Sequence, residues 1–226
     1  LGIDYETLSA INPRLIYCEN TAYGRRGPHS QRPGYDIIIQ ALSGLMAGDA
    51  KFLNGLPQAV SASALADTST GLVIAWGVCA GLFARQRTGK GQKIEAALLA
   101  TALALQTMRF LQVDKVDREP REQFLEEINL LRQAGQPYPD IYARYEALRP
   151  KPPGNIYYRT YQTKDSVIAT ACLSDTLRKK MADALDLYDI RFEPGYDLNS
   201  DVAIKFGAEL TQKAEALFLI KTTDEW

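Results

Sequence analysis

The chain has 226 residues, of which 46% are hydrophobic and 23% are charged. These fractions are typical of a folded globular protein and exclude an intrinsically disordered one. The 26 lysines and arginines nearly balance the 27 aspartates and glutamates, giving a formal net charge of -1 at pH 7. Because no segment concentrates basic residues as binding to a phosphate backbone requires, we expect no nucleic acid among the partners.

Apolar runs and cysteines indicate the compartment. The run at 72–84 is interrupted by Gly77 and Gly81 and is shorter than the roughly 20 residues that cross a bilayer, so we expect no membrane span. The three cysteines are Cys18, Cys79 and Cys172. Their separation and apolar neighbours predict buried free thiols, neither disulfides nor a metal site, and a cytoplasmic location.

Both ends of the sequence lack the signals of a complete chain. It begins at Leu1 without a methionine or a signal peptide. Residues 222–226 carry the hydroxyl and acidic side chains that open a helix, although none follows. We therefore expect a fragment that lacks both ends of a longer protein.

The first 112 residues alternate between helix and strand patterns. The predicted elements are a helix at 4–10, a strand at 15–18, a helix from Tyr35 to Leu45, an apolar helix through 72–88, a strand at 93–97 and a helix at 98–111. This alternation is typical of an α/β domain. The segment 49–57 between the second and third helices has the composition of a loop.

The composition changes after residue 112. Residues 113–154 are predicted to form a linker, with one amphipathic helix followed by prolines at 137, 139, 150, 152 and 153 that rule out a single continuous helix. Residues 155–226 predict two strands, at 156–162 and 166–171, and two helices, the first capped by Ser174.

Asp67 is the carboxylate with the clearest chemical potential. It follows apolar residues and stands where the apolar helix is expected to begin. A helix N-terminus stabilises an anion through its dipole and its free N–H groups. The simplest role is therefore that of an N-cap, and the alternative is an ionised carboxylate that acts as a nucleophile in a dry site.

A polar loop gathers most of the candidate anion-binding side chains. They are Arg25, Arg26, His29 and Arg32. Such a loop is either a solvated surface or a contact for the phosphates of a nucleotide-like ligand. His29 is the only histidine, and no serine or cysteine signature accompanies it as a catalytic triad would require.

Seven short motifs, taken in their order, resemble the family III CoA-transferases, the group that includes formyl-CoA transferase and the carnitine and bile-acid CoA-transferases. The motifs are LGIDYETL at 1–8, NPRLIY at 12–17, YGRRGP at 23–28, RPGYD at 32–36, SGLM at 43–46, ADTSTG at 66–71 and RTGKGQ at 87–92. The resemblance is looser over 113–226. It implies part of a Rossmann-like large domain at 1–112, followed by the linker and part of a smaller α+β domain at 155–226.

The resemblance implies an activity for Asp67. This residue matches the family's nucleophilic aspartate, which forms an aspartyl-acyl anhydride and then an aspartyl-CoA thioester as CoA passes from an acyl-CoA to a carboxylic acid. CoA is thus a substrate, and no tightly bound cofactor is implied. The expected partners are an acyl-CoA, a small carboxylic acid and a second copy of the chain in an interlocked homodimer.

Binding residues are implied in two further segments. Arg32, Gly34 and Tyr35 match a stretch that lines the CoA site, where Arg32 could meet a phosphate. Gly154 and Asn155 stand near the family's glycine-rich substrate loop, although only one glycine is present here.

Two alternatives remain open at the level of sequence. Acyl-CoA racemases of this family use the histidine of a Gly-His-Asp motif, whereas this chain has Gly34-Tyr35-Asp36. Tyrosine is a poor base near neutral pH because a phenol stays protonated there. The other alternative is a catalytically silent CoA-binding fragment.

Overall fold

The computed structural model describes residues 2–49, 51–60, 63–106, 111, 113–148, 155–197 and 200–226. The chain divides into two compact units, Leu1–Ala147 and Leu148–Trp226. The predicted domain boundaries at 112 and 154 remain predictions. Helices combine with parallel and antiparallel strand pairs, which confirms the predicted α/β class.

The first unit contains most of the helices. Its elements are α1 (Tyr5–Ile11), β1 (Ile16–Thr21), α2 (Asp36–Ser43), α3 (Leu45–Asp49), β2 (Phe52–Leu53), β3 (Leu56–Pro57), α4 (Leu65–Thr88), β4 (Gln92–Ala97), α5 (Leu98–Ala104), α6 (Asp114–Gln133) and α7 (Tyr138–Leu148). The short antiparallel pair of β2 and β3 lies in the segment predicted to be a loop. Helix α7 begins just after Pro137, and Pro139 is tolerated there because first-turn N–H groups have no partner within the helix.

Strands β1 and β4 pair in parallel, in register from Ile16 opposite Gln92 to Thr21 opposite Ala97. Helix α4 returns the chain to the start of β4 and packs across the pair. A β-carbon on Gly77 would lie 3.1 Å from Ile94 Cγ2, and one on Gly81 would lie 3.3 Å from Ile16 Cγ2. These glycines therefore let the helix lie close to the sheet.

Helix α4 overturns the expectation that the apolar run, interrupted by Gly77 and Gly81, is too short to cross a bilayer. The helix continues through both of them for 24 residues, and an 18-residue window of it has a mean hydropathy of 1.4. Within the described ranges it is the one helix long and apolar enough to cross a membrane by length and composition alone. Core helices of soluble proteins meet the same criterion when they are mostly buried; 17% of this window is buried, and α4 packs one face on the β1–β4 pair.

The cysteines are free, as predicted, but they are less buried than the sequence suggested. Cys79 is exposed, and Cys18 and Cys172 are half-buried. Cys79 lies on α4, whose apolar residues surround the whole helix although only one side packs on the sheet. An apolar neighbourhood in sequence therefore did not translate into burial of the thiol.

The second unit is an antiparallel hairpin packed with helices. Its elements are β5 (Tyr158–Gln162), β6 (Val167–Ala171), α8 (Asp175–Ala184), a 3-10 helix (Ile190–Phe192) and α9 (Asp201–Phe218). Ser174 and Ser200 cap α8 and α9 by accepting the N–H of Leu177 and Ala203. The core consists of Ile156, Tyr157, Tyr161, Leu185, Leu210, Ala214 and Phe218.

Candidate active site

A small apolar cluster supports the end of the parallel strand pair. It contains Ile39 of α2, Ala66 of α4, and Leu98 and Ala102 of α5. Nearby, the N–H of Leu99 donates to the carbonyl of Ala22, just beyond β1, at 3.0 Å. The start of α4 therefore lies at the carboxyl end of the strands, which is where α/β sheets bind their ligands.

Asp67 is the third residue of α4, and its side chain is exposed. The N-cap is Ala64, whose side chain makes no capping hydrogen bond. The interpretation of Asp67 as an N-cap is therefore wrong, because the helix begins two residues earlier. In the part of the chain that the structure describes, the Asp67 carboxylate has no hydrogen bond or ion pair, so it is available to a substrate.

The missing cap comes from another helix. Asp36, the first residue of α2, accepts the N–H of Ala66 at 2.7 Å and the N–H of Asp67 at 3.2 Å, both on Oδ1. The next amide, of Thr68, donates to the carbonyl of Ala64 at 2.8 Å. Three N–H groups at the start of α4 are thus already bonded, so they are not free to stabilise an oxyanion.

Gln40 fixes the Asp36 carboxylate from the other side. Its Nε2 donates to Asp36 Oδ2, and its Oε1 accepts the N–H of Val60 at 2.8 Å. Gln40 is fully buried, so its amide depends on these partners. Sequence reasoning missed this role of Asp36 and Gln40; the available signal was their spacing of four residues, which places both on one face of a helix.

The segment predicted to line the CoA site leads directly into Asp36. A β-carbon on Gly34 would lie 2.4 Å from Ala22 Cβ, so the segment passes against the end of β1. Tyr35 is the N-cap residue of α2 and is 73% exposed. Arg32 is also exposed. The structure therefore brings the 32–35 segment and Asp67 to the same junction, through Asp36.

The cations of the polar loop differ in their surroundings. Arg25 is paired with Glu19, which also pairs with Lys93 at 2.9 Å. His29 is half-buried, its ring centroid lies 5.6 Å from that of Tyr23, and its Nδ1 has no hydrogen-bond partner among the described residues. Arg25 thus already has a carboxylate partner, and Arg32 is exposed near the start of α2.

The predicted substrate loop is only partly described. Gly154 lies outside the described residues. Asn155, in the second unit, is exposed, and its Oδ1 accepts the N–H of Tyr157 at 2.9 Å. Asparagine side chains commonly form such turns with the backbone two residues on, and this turn directly precedes β5.

Comparison with known proteins identifies the family. The family model for CoA-transferase family III matches residues 1–226. The acetyl-CoA:oxalate CoA-transferase of Acetobacter aceti is 30% identical over 201 residues, covering 89% of this chain and 45% of that protein. The succinate–glutarate CoA-transferase of Agrobacterium fabrum is 40% identical over 116 residues, covering 49% of this chain and 28% of that protein.

Solved structures agree with this assignment. A CaiB/BaiF family protein from Brucella suis superposes with a TM-score of 0.58 at 28% identity, over 99% of this chain and 52% of that one. The protein Rv3272 of Mycobacterium tuberculosis shares the fold, with a TM-score of 0.67 at 24% identity over 100% of this chain and 54% of its own. The chain spans about half the length of the curated relatives that it matches over most of its length. Because the family match covers every residue, the chain belongs to CoA-transferase family III.

Proposed function

We propose that the protein containing this chain transfers CoA from an acyl-CoA thioester to a carboxylic acid, with Asp67 as the nucleophile. The observation that carries the proposal is an exposed carboxylate, without a described partner, held at the carboxyl edge of the parallel strands. The names of the relatives support the reaction class, since they are transferases that act on oxalate and glutarate.

The proposed reaction conserves the activated acyl bond. An Asp67 oxygen attacks the thioester carbon, the C–S bond breaks, and CoA leaves as a thiolate with the electron pair. The thiolate then attacks the Asp67 carbonyl of the anhydride, which releases the donor acid and forms an aspartyl-CoA thioester. The acceptor carboxylate repeats these two steps in reverse order and regenerates the Asp67 carboxylate, so no proton is gained or lost.

The surroundings of Asp67 suit a nucleophile that must stay ionised. The N-terminal end of α4 favours a negative charge on a first-turn side chain, and covalent catalysis divides one difficult exchange into easier steps. Since the amides of Ala66, Asp67 and Thr68 are bonded, the donors to each oxyanion must come from outside the first turn. Water must also be kept from the anhydride.

The 32–35 segment supplies the proposed CoA contacts. The exposed Arg32 guanidinium suits a phosphate oxygen, because Arg binds phosphate with two parallel donors. The proximity of this segment to the nucleophile is supported by Asp36, which follows Tyr35 and accepts the N–H of Asp67 at 3.2 Å. We extend the proposal to a cytoplasmic homodimer: free cysteines suit a reducing compartment, and the dimer is implied by resemblance. Gly154 and Asn155 are proposed for the substrate loop on the same ground.

Trapping the covalent intermediate tests the role of Asp67. The complete gene product is incubated with a panel of acyl-CoA thioesters, quenched with hydroxylamine, and the peptide containing Asp67 is analysed by mass spectrometry. We expect a hydroxamate on Asp67, and a loss of transferase activity of about 1000-fold or more in Asp67→Asn. Asp201→Asn is the matched control, because Asp201 is an exposed first-turn aspartate of α9, and it should keep full activity.

Three other results would contradict the proposal. An unmodified Asp67, with solvent deuterium entering the α-carbon of the acyl group, would indicate a racemase. A protein that binds CoA, but shows neither a hydroxamate on Asp67 nor CoA transfer with any acyl-CoA of the panel, would be a binding module. A full-activity Asp67→Asn variant would exclude Asp67 as the nucleophile.

A further inference from the structure

Asp36 has no part in the chemistry proposed above, yet its carboxylate holds the backbone of the proposed nucleophile. Its Oδ1 lies 2.7 Å from the amide nitrogen of Ala66 and 3.2 Å from that of Asp67. We propose that Asp36 is a positioning residue, which fixes the first turn of α4, and with it Asp67, to the start of α2. The inference rests on the proposed function of Asp67.

The first argument is the absence of a local cap. Helices α1, α8 and α9 are capped by the residue that precedes them, namely Asp4, Ser174 and Ser200. Helix α4 has Ala64 at that position, whose side chain offers no acceptor. An uncapped first turn frays, because its amides have no partner within the helix. Asp36 supplies the acceptor from a different helix, so it restrains where the turn lies as well as whether it forms.

The second argument is the polarity of the hydrogen-bond chain. Both Asp36 oxygens act as acceptors, Oδ1 for the α4 amides and Oδ2 for Gln40 Nε2. Gln40 cannot turn its amide around, because its Oε1 accepts the N–H of Val60. An asparagine at position 36 would therefore direct its NH2 group either at Gln40 Nε2 or at the α4 amides, and both of these are donors. Leaving a buried donor or acceptor unpaired is costly, so only a carboxylate satisfies this arrangement.

The third argument is what the restraint connects. Asp36 directly follows Tyr35, at the end of the segment proposed to contact CoA. Holding Asp67 to Asp36 thus sets the nucleophile relative to the thioester that this segment would bind. An attacking oxygen must lie close to the carbonyl carbon, and a displacement of about 1 Å can cost about 100-fold in rate.

The test compares three variants of the complete protein with the wild type. Asp36→Asn breaks the polarity of the chain. The double variant Asp36→Asn/Gln40→Glu restores it, because the new carboxylate can accept from both the asparagine amide and Val60. Asp4→Asn is the matched control, since Asp4 caps α1 in the same unit by accepting the N–H of Thr7 at 2.8 Å.

Two readouts separate positioning from general damage. The first is the rate of hydroxamate formation on Asp67 in a single turnover at saturating acyl-CoA, well below the melting temperature of the least stable protein. The second is the dissociation constant of the acyl-CoA. We expect Asp36→Asn to label about 10- to 100-fold more slowly with a nearly unchanged dissociation constant, the double variant to recover most of the rate, and Asp4→Asn to match the wild type.

The outcomes are distinguishable. A wild type that never labels at Asp67 overturns the proposed function and this inference together. If the wild type labels at Asp67 and Asp36→Asn labels at the same rate, the inference alone is overturned. The inference is also overturned if the double variant labels as slowly as Asp36→Asn. Amide hydrogen exchange can be measured on the wild type, so this test does not depend on the folding of any variant. We expect the amides of Ala66 and Asp67 to be protected. Exchange at the rate of free amides would overturn the inference.

Discussion

Glycines mark the points at which backbone segments of this chain approach too closely for a side chain. At Gly91 a β-carbon would lie 1.9 Å from the carbonyl oxygen of Leu15, where the chain turns from α4 into β4. At Gly34 it would lie 2.4 Å from Ala22 Cβ. Gly34 therefore sets how closely the proposed CoA segment approaches the end of β1, and so helps to shape the site.

Substitution of Gly34 tests this role. Gly34→Ala forces two β-carbons together, so we expect the free energy of unfolding to fall by about 1–3 kcal/mol. Gly71→Ala is the control, because Gly71 lies inside α4 with open space around it and alanine favours a helix. Urea titrations should show that control to be as stable as the wild type or more so; an equally stable Gly34→Ala would refute the steric argument.

Among the elements, β5 illustrates how a strand joins the core through aromatic hydroxyls. Tyr161 is almost fully buried, its hydroxyl donates to the carbonyl of Ile156 at 2.7 Å, and its ring stacks on Phe218 at 4.1 Å between centroids. Burial raises the pKa of Tyr161 to about 12. Tyr158, three residues earlier on the same strand, is 60% exposed.

The raised pKa predicts an alkaline loss of stability. Because the folded-state pKa lies above the unfolded value, the contribution of Tyr161 is fully present below about pH 10 and is lost as pH rises towards 12. Between about pH 8 and about pH 11.5, the wild type should therefore lose about 2 kcal/mol of unfolding free energy relative to Tyr161→Phe, which has no hydroxyl to titrate at that position. Tyr158→Phe serves as the control, and a pH-independent difference for Tyr161→Phe would contradict the prediction.

At the scale of the whole molecule, the second unit contains its own core and its own buried ion pair. Asp189 accepts two hydrogen bonds from the Arg191 side chain, each at 2.8 Å, and one from Tyr157 at 3.0 Å. Burial by itself would raise the pKa of Asp189, but the hydrogen bonds and charge of Arg191 outweigh it and hold that pKa below its usual range. These contacts all lie within 155–197, so they do not depend on the first unit.

We therefore expect residues 148–226 to fold when expressed alone. Trp226 is the only tryptophan of that segment, its ring lies 4.9 Å from that of Phe218, and its Nε1 donates to the Phe218 carbonyl. Its fluorescence should report one cooperative transition in urea. Phe218→Ala should abolish that transition, since such a truncation costs about 3–5 kcal/mol in a small domain, whereas Leu219→Ala, at a half-exposed neighbour, should retain it. A non-cooperative wild-type segment would refute independent folding.

The sequence by itself determined the features that depend on neighbours along the chain. The period of apolar residues predicted α6, and Ser174 predicted the start of α8. Such signals are local, because a cap or a helical period is complete within a few residues. The motifs were likewise sufficient to indicate the family.

Only the tertiary structure decided how the site is held. The amides of Ala66 and Asp67 are bonded to a carboxylate 30 and 31 residues away, and no local pattern encodes that pairing. The same contact explains why Asp67 is not the cap of its helix: the acceptor comes from α2, so α4 can begin at Leu65 and leave the Asp67 side chain exposed. The exposure of Cys79 has a similar cause, because burial depends on what packs against a helix and not on its own composition.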